Sequence, residues 1–330
     1  MLLRRVRRAA LALAVLLVLA IAFLVVQARR HPPLDDHQAL TLPPAPTGTT
    51  VTVRFAGVAT LLFDDGETAW MTDGFFSRPG MRETFFGRIG PDAAAIDNTL
   101  KRLGITRLAA VVPVHSHYDH AMDSPTVALR TGAVLIGSNS TMQIGFGAGL
   151  PPAQLREVQP GDTVTLGKFR LSFIASRHSP TPWSDGVSVE NIMAPVVPPT
   201  RAPAWREGQV WSIVVEHASG GRWLIEGSAG FIPGALAGRR VDTVFLGVGT
   251  LGRKDDAYRA AYWHETVQLT GARRVVPIHW DDFWLPLDQP LQAMPLLFDD
   301  FGTTMADLSH RAKQDGVELR LPPLFTPFAP

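Results

Sequence analysis

The chain has 330 residues, 46% of them hydrophobic, with 29 glycines and 27 prolines, which excludes a disordered protein and fits a folded body with many turns. It has no cysteine, so disulfides, thiol nucleophiles and cysteine zinc sites are all ruled out. Six arginines fall in the first 30 residues, leaving 25 basic against 30 acidic residues in the rest, and no basic stripe invites nucleic acid as a partner.

Residues 9–26, AALALAVLLVLAIAFLVV, form an uncharged apolar run. As a helix it spans about 27 Å, close to the hydrocarbon thickness of a bilayer. Arg4, Arg5, Arg7 and Arg8 precede it and Arg29 and Arg30 follow. The positive-inside rule therefore puts the N-terminus in the cytoplasm and the body on the periplasmic or extracellular side. The expectation is an uncleaved signal-anchor over residues 1–30, a single pass through the inner or cell membrane. Cleavage after VQA at 26–28 gives a secreted protein instead. Residues 31–48 are rich in proline and lack periodicity, so they read as a linker, with one folded domain over 49–330.

Within that domain TVTVRFAG, ATLLFDD and AWMTDGFF are short β-rich runs between turn residues, an antiparallel meander. A helix is expected over 92–103, ended by Gly104, with further helices near 123–131 and 255–270. LAAVVPV at 108–114 reads as a buried strand, and AVLIG, DTVTLG, FRLSFIAS, QVWSIVVEH, GRWLIEGS, TVFLGVG and RVVPIHW as further strands. Strands interleaved with helices on this scale predict an α/β protein of two sheets with outer helices. The stretch 180–209 has no clear element and reads as a lid or binding loop, and Phe75, Phe76, Phe85 and Phe86 fall in a second loop.

Directly after the 108–114 strand stands HSHYDH, three of the chain's ten histidines in six positions. Neutral imidazole is a good ligand for zinc and similar divalent ions, and two histidines one residue apart reach one ion from a short loop. His115 and His117 are that pair, while Asp119 and His120 can turn to a second ion. His178 in SRHSP and His279 in PIHW each follow another predicted strand, so they are candidates to complete the first and second sets. The other histidines share no such placement.

HSHYDH, the upstream FAGVATLLFDDGETAWMTDGFF, SRHSP and PIHWDDF together resemble the metallo-β-lactamase fold superfamily. Within it the likeness is to metal-dependent hydrolases that include the ascorbate-phosphate lactonase and the N-acyl-phosphatidylethanolamine phospholipase D. The resemblance covers about residues 50–290 and implies a four-layer αββα sandwich with a metal site along one edge. It implies that Asp73 orients the metal ligands. It also exposes a departure. Where most dinuclear members carry an aspartate that bridges the ions, IEGSAGF places Ser228, a neutral and poor ligand, and Glu226 is the nearby acid that could replace the lost charge.

The expected chemistry is hydrolysis by a metal-bound hydroxide. Two ions about 3.5–4 Å apart deprotonate a shared water near neutral pH, and Asp119 positions it. The ions are expected to be two Zn2+, with Mn2+ or Fe2+ as other divalent candidates. The substrate is a small or lipid-like ester, lactone, amide or phosphodiester. A β-lactam hydrolase and a metal-poor binding or sensory protein on the same fold are the competing readings.

Overall fold

The computed structural model describes residues 2–181, 186 and 190–330. The apolar run is one helix, α1 (Leu2–Arg29), and its residues 4–26 are exposed. It is long and apolar enough to cross a membrane.

The segment after α1 is not a free linker. His31 Nε2 lies 2.9 Å from Asp282 Oδ2, residues Asp35–Leu40 make a 3-10 turn, and Thr41 bridges to Leu321. Leu42 is buried in the main core, with Leu34 and Leu40 packed against it. Three leucines spread over nine residues carry no period that marks an element, yet their burial is enough to lay the segment along the body.

The first sheet has the order β1-β2-β3-β4-β5-β6, formed by β1 (Thr52–Phe55), β2 (Leu61–Asp64), β3 (Ala69–Thr72), β4 (Ala110–Val112), β5 (Val134–Gly137) and β6 (Leu155–Glu157). Its first three strands are the expected antiparallel meander, and β3 to β6 run parallel. Between them lie α2 (Met81–Phe86), α3 (Ala93–Leu103), α4 (Tyr118–Ala121), α5 (Ser124–Thr131) and α6 (Asn139–Gly147). Helix α3 begins where the Asp92 side chain accepts from the amides of Ala94 and Ala95, and it ends at Gly104 with φ 69°. Phe85 and Phe86, expected in a loop, sit on α2, a helix of 6 residues too short to show a period.

The second sheet has the order β13-β12-β11-β10-β9-β8-β7. It is formed by β7 (Thr163–Leu166), β8 (Phe169–Ser176), β9 (Val210–His217), β10 (Arg222–Glu226), β11 (Thr243–Gly247), β12 (Arg274–Ile278) and β13 (Glu318–Leu319). Strands β7 to β10 are antiparallel, and β10 to β13 are parallel. α7 (Asp256–Trp263) and α8 (Phe301–Asp315) complete the body.

Strand alternation sets the layers. Phe63 and Trp70 stack at 4.7 Å between the sheets, and Phe63 meets Trp223 and Phe245 of the second sheet, each at 5.7 Å. Their neighbours Leu62 and Met71 turn the other way and pack with Ile96, Leu100 and Leu103 of α3 and Val127 of α5. On the far side Tyr262, Trp263, Met305 and Leu308 join the main core from α7 and α8. The result is helix, sheet, sheet, helix. The expected lid over 180–209 includes residues 182–185 and 187–189, which lie outside the described residues; 190–209 is irregular apart from one 3-10 turn, Ala202–Ala204.

Candidate metal centre

The residues singled out for metal chemistry stand at or just beyond the C-terminal ends of strands. Asp73 follows β3, residues 115–120 follow β4, His178 follows β8, Ser228 follows β10 and His279 follows β12. These ends converge, and six side chains form two sets of three, His115 with His117 and His178, and Asp119 with His120 and His279. Within each set the ligand atoms lie within 4.8 Å of one another.

In the first set His115 Nε2 is 3.0 Å from His117 Nδ1, and the ring of His178 lies 5.1 Å from that of His115 and 4.8 Å from that of His117. His178 Nδ1 is 2.8 Å from the carbonyl oxygen of Ser179, which leaves Nε2 for the set. In the second set His120 Nε2 is 3.1 Å from His279 Nε2, and Asp119 Oδ2 is 3.3 Å from His279 Nε2 and 3.6 Å from His120 Nε2. A tetrahedral zinc at about 2.0–2.1 Å from each nitrogen sets its ligands about 3.4 Å apart, so both sets are near the size such an ion requires.

The electrostatics fit a cation as well. Burial pushes the His117 imidazole down to about 4 and that of His178 to about 3, and it holds His115 well below its ordinary value. All three are neutral ligands at pH 7. Burial alone would raise Asp119, but the charge of His120 and the hydrogen bond and charge of His279 hold it low. Burial likewise works against a charged His120, and Asp73 and Asp119 outweigh it. Asp73 and Asp119 flank His120 as buried carboxylates; burial raises Asp73, against the opposing charge and hydrogen bond of His120.

Asp73 is fully buried at φ 51° and does two jobs. Its Oδ2 lies 2.7 Å from His120 Nδ1, and its Oδ1 accepts from the amide of Val114 at 2.9 Å, which joins β3 to the start of the histidine loop. This is the geometry that orients an imidazole through its far nitrogen. Ser228 Oγ accepts from the amide of Ser179 at 2.9 Å and so braces the loop that carries His178. A Cβ at Gly230 would stand 2.2 Å from the Arg177 carbonyl oxygen, so only glycine lets this segment lie so close to the His178 loop. Glu226 does not replace the missing acid. Burial raises it to about 8 although Ser212 and Ser176 hydrogen-bond to it, and it belongs to neither set.

The sequence reading missed the support behind His279. Arg78 Nη2 donates to Asp281 Oδ2 at 2.6 Å, both side chains being buried, and Asp281 Oδ1 accepts from the amide of Val58 at 2.8 Å. The Val58 carbonyl in turn accepts from the amide of His279 at 2.6 Å. Val58, Asp73, Arg78 and His279 all have positive φ, a costly backbone state for residues with side chains. The only written trace of this arrangement is the acidic pair after PIHW.

No family model matches the chain. A UPF0173 metal-dependent hydrolase from Chloroflexus aurantiacus is 34% identical over 79 residues, 24% of this chain and 32% of that protein. Another from Pyrobaculum arsenaticum is 28% identical over 185 residues, 54% of this chain and 68% of that protein. Among solved structures, Igni18, a metallo hydrolase from Ignicoccus hospitalis, superposes with a TM-score of 0.53 at 14% identity, covering 82% of this chain and 94% of its own. Its likeness is one of fold. The chain thus shares the fold of a metallo hydrolase and is similar in sequence to UPF0173 metal-dependent hydrolases.

Proposed function

We propose that the protein is a dinuclear hydrolase in which His115, His117 and His178 hold one divalent ion and Asp119, His120 and His279 hold the other. The observation that carries this reading is the pair of three-donor sets built around one six-residue loop. Zinc suits five imidazoles and one carboxylate, and Mn2+ or Fe2+ are the alternatives. Ions bound there supply an acidified water and polarise the substrate's carbonyl or phosphoryl oxygen.

The chain's own groups do the rest. Asp119 Oδ2 stands between His120 and His279 and is ionised, so it can accept a hydrogen bond from the attacking water and fix its direction. Asp73 holds His120 in one tautomer, and the Ser179 carbonyl does the same for His178. Substrates in this reading are esters, lactones, amides or phosphodiesters. The flanking arginines favour α1 crossing the membrane with the body on the periplasmic or extracellular side.

The test is one zinc-reconstituted preparation assayed against a lactone, a p-nitrophenyl ester, nitrocefin and bis-p-nitrophenyl phosphate. Turnover of at least one, abolished by a chelator, is expected. No bound metal after zinc reconstitution, and no turnover of any, favours the metal-poor binding-protein reading that Ser228's neutral hydroxyl raises.

A further inference from the structure

Beyond α1, seven large apolar side chains among the described residues are exposed, and six of them, Phe85, Phe86, Phe146, Met193, Val197 and Leu297, stand on segments that touch one another. The Phe85 ring lies 6.2 Å from that of Phe298, next to Leu297. Ile89, three residues past Phe86, pairs with Thr200, three past Val197. The amide of Val196 donates to the carbonyl of Gln143 in α6, and Gly147, beside Phe146, lies against the Val196 backbone. Phe86 is 83% and Met193 85% exposed, and a contiguous exposed apolar patch of this kind marks an interaction or membrane site.

Two further observations say what covers this patch. First, it adjoins the end of α1 with no slack between them: the amides of Leu297 and Leu296 donate to the carbonyls of Gln27 and Arg30, at 3.1 and 2.9 Å. A helix that leaves a bilayer at Arg29 therefore sets Leu297 and Phe85 at the lipid surface. Second, Arg82, Arg88, Arg201 and Arg206 are exposed on the same segments and with Arg29 and Arg30 outnumber the exposed Glu83 and Glu190, the latter 3.9 Å from Arg206, so the frame around the apolar side chains is positive on balance. Apolar tips framed by arginine suit the headgroup boundary of a membrane. The patch also leads to the metal centre: the ring of His279 is 5.7 Å from that of Phe283, Phe283 4.9 Å from Trp284, and Trp284 5.7 Å from Phe85.

We infer that this face is a second membrane contact, one that seats the mouth of the metal centre on the lipid surface so that an amphipathic substrate enters from the bilayer. The inference rests on α1 as a membrane span and deepens the hydrolase reading by naming the side from which substrate arrives.

The absence of cysteine makes a direct test possible on the full chain. Single substitutions Phe86→Cys and Val197→Cys, each labelled with nitrobenzoxadiazole, are placed in nanodiscs of phosphatidylcholine and phosphatidylglycerol, with and without doxyl-labelled lipid. Leu16→Cys in α1 is the reference inside the bilayer. Lys168→Cys, before the opposite end of the strand that leads to His178, is the reference in water. The expected result is quenching by doxyl lipid at positions 86 and 197 comparable to that at 16, and none at 168. Quenching at 16 alone overturns the membrane contact and leaves the span. No quenching at 16 overturns the span and the inference with it. A blue shift at 86 and 197 without quenching means that a second protein surface covers the patch, which also overturns the inference. No outcome depends on turnover, so the hydrolase reading fails or survives separately.

Discussion

The two donor sets share one loop but are built differently. The first is three neutral imidazoles, braced from behind by neutral groups, the Ser179 carbonyl and the Ser228 hydroxyl. The second contains a carboxylate, has the buried Asp73 behind His120, and rests its third ligand on a buried ion pair, Arg78 with Asp281. Four of the six described non-glycine residues at positive φ surround this second set. The first set thus depends on nitrogen ligation alone. The second draws on charge, and the fold spends backbone strain to shape it.

Breaking the first set has the largest expected effect. His117→Ala should abolish one of two bound ions and nearly all turnover, read by elemental analysis and kinetics on the same sample. Next comes the ion pair behind the second set. Arg78→Met leaves Asp281 buried and unpaired, a loss of ~3–5 kcal/mol of stability in thermal or denaturant unfolding. Adding Asp281→Leu should recover part of it, because no lone charge then remains.

Smaller effects sharpen the contrast between the sets. Asp73→Ala should weaken metal binding at the second set by about 10–100-fold with little change at the first, measured by competition with a chelator. Ser228→Ala should do the reverse by about 10-fold, since it frees the His178 loop and leaves His120 and His279 untouched. For metal binding the least change is expected from Glu226→Gln, since Glu226 belongs to neither set; its effect is on the pH dependence of stability. Burial raises Glu226 from an ordinary 4.5 to about 8, so the folded chain binds this proton more tightly than the unfolded one. Its contribution to stability is fully present below pH 4.5 and is lost as pH rises through 8. The glutamine variant should therefore show a flatter fall of Tm between those limits.

Much of the centre is legible in the sequence because metal ligands are few in kind and sit directly after apolar strand runs. HSHYDH, SRHSP and PIHW each mark a strand end, and the structure brings their histidines together. What holds those ligands is not legible. Arg78 and Asp281 pair across 203 positions, and nothing local to either predicts the other. Ser228 was visible as an absent acid, but its actual partner is a backbone amide, which no side-chain pattern records. The same limit applies to the fold. Strands and the capped helix α3 follow from periodicity and Asp92, whereas the 31–48 segment packs through Leu34, Leu40 and Leu42, three apolar side chains too sparse among prolines and polar residues to mark an element.

The central claim is that two separate sets each hold one ion, and metal stoichiometry tests it most directly. After zinc reconstitution, elemental analysis of the full chain should give two ions, with one remaining in His178→Ala and one in His279→Ala. A single ion in the unmodified chain, or the loss of both from either variant, would contradict it.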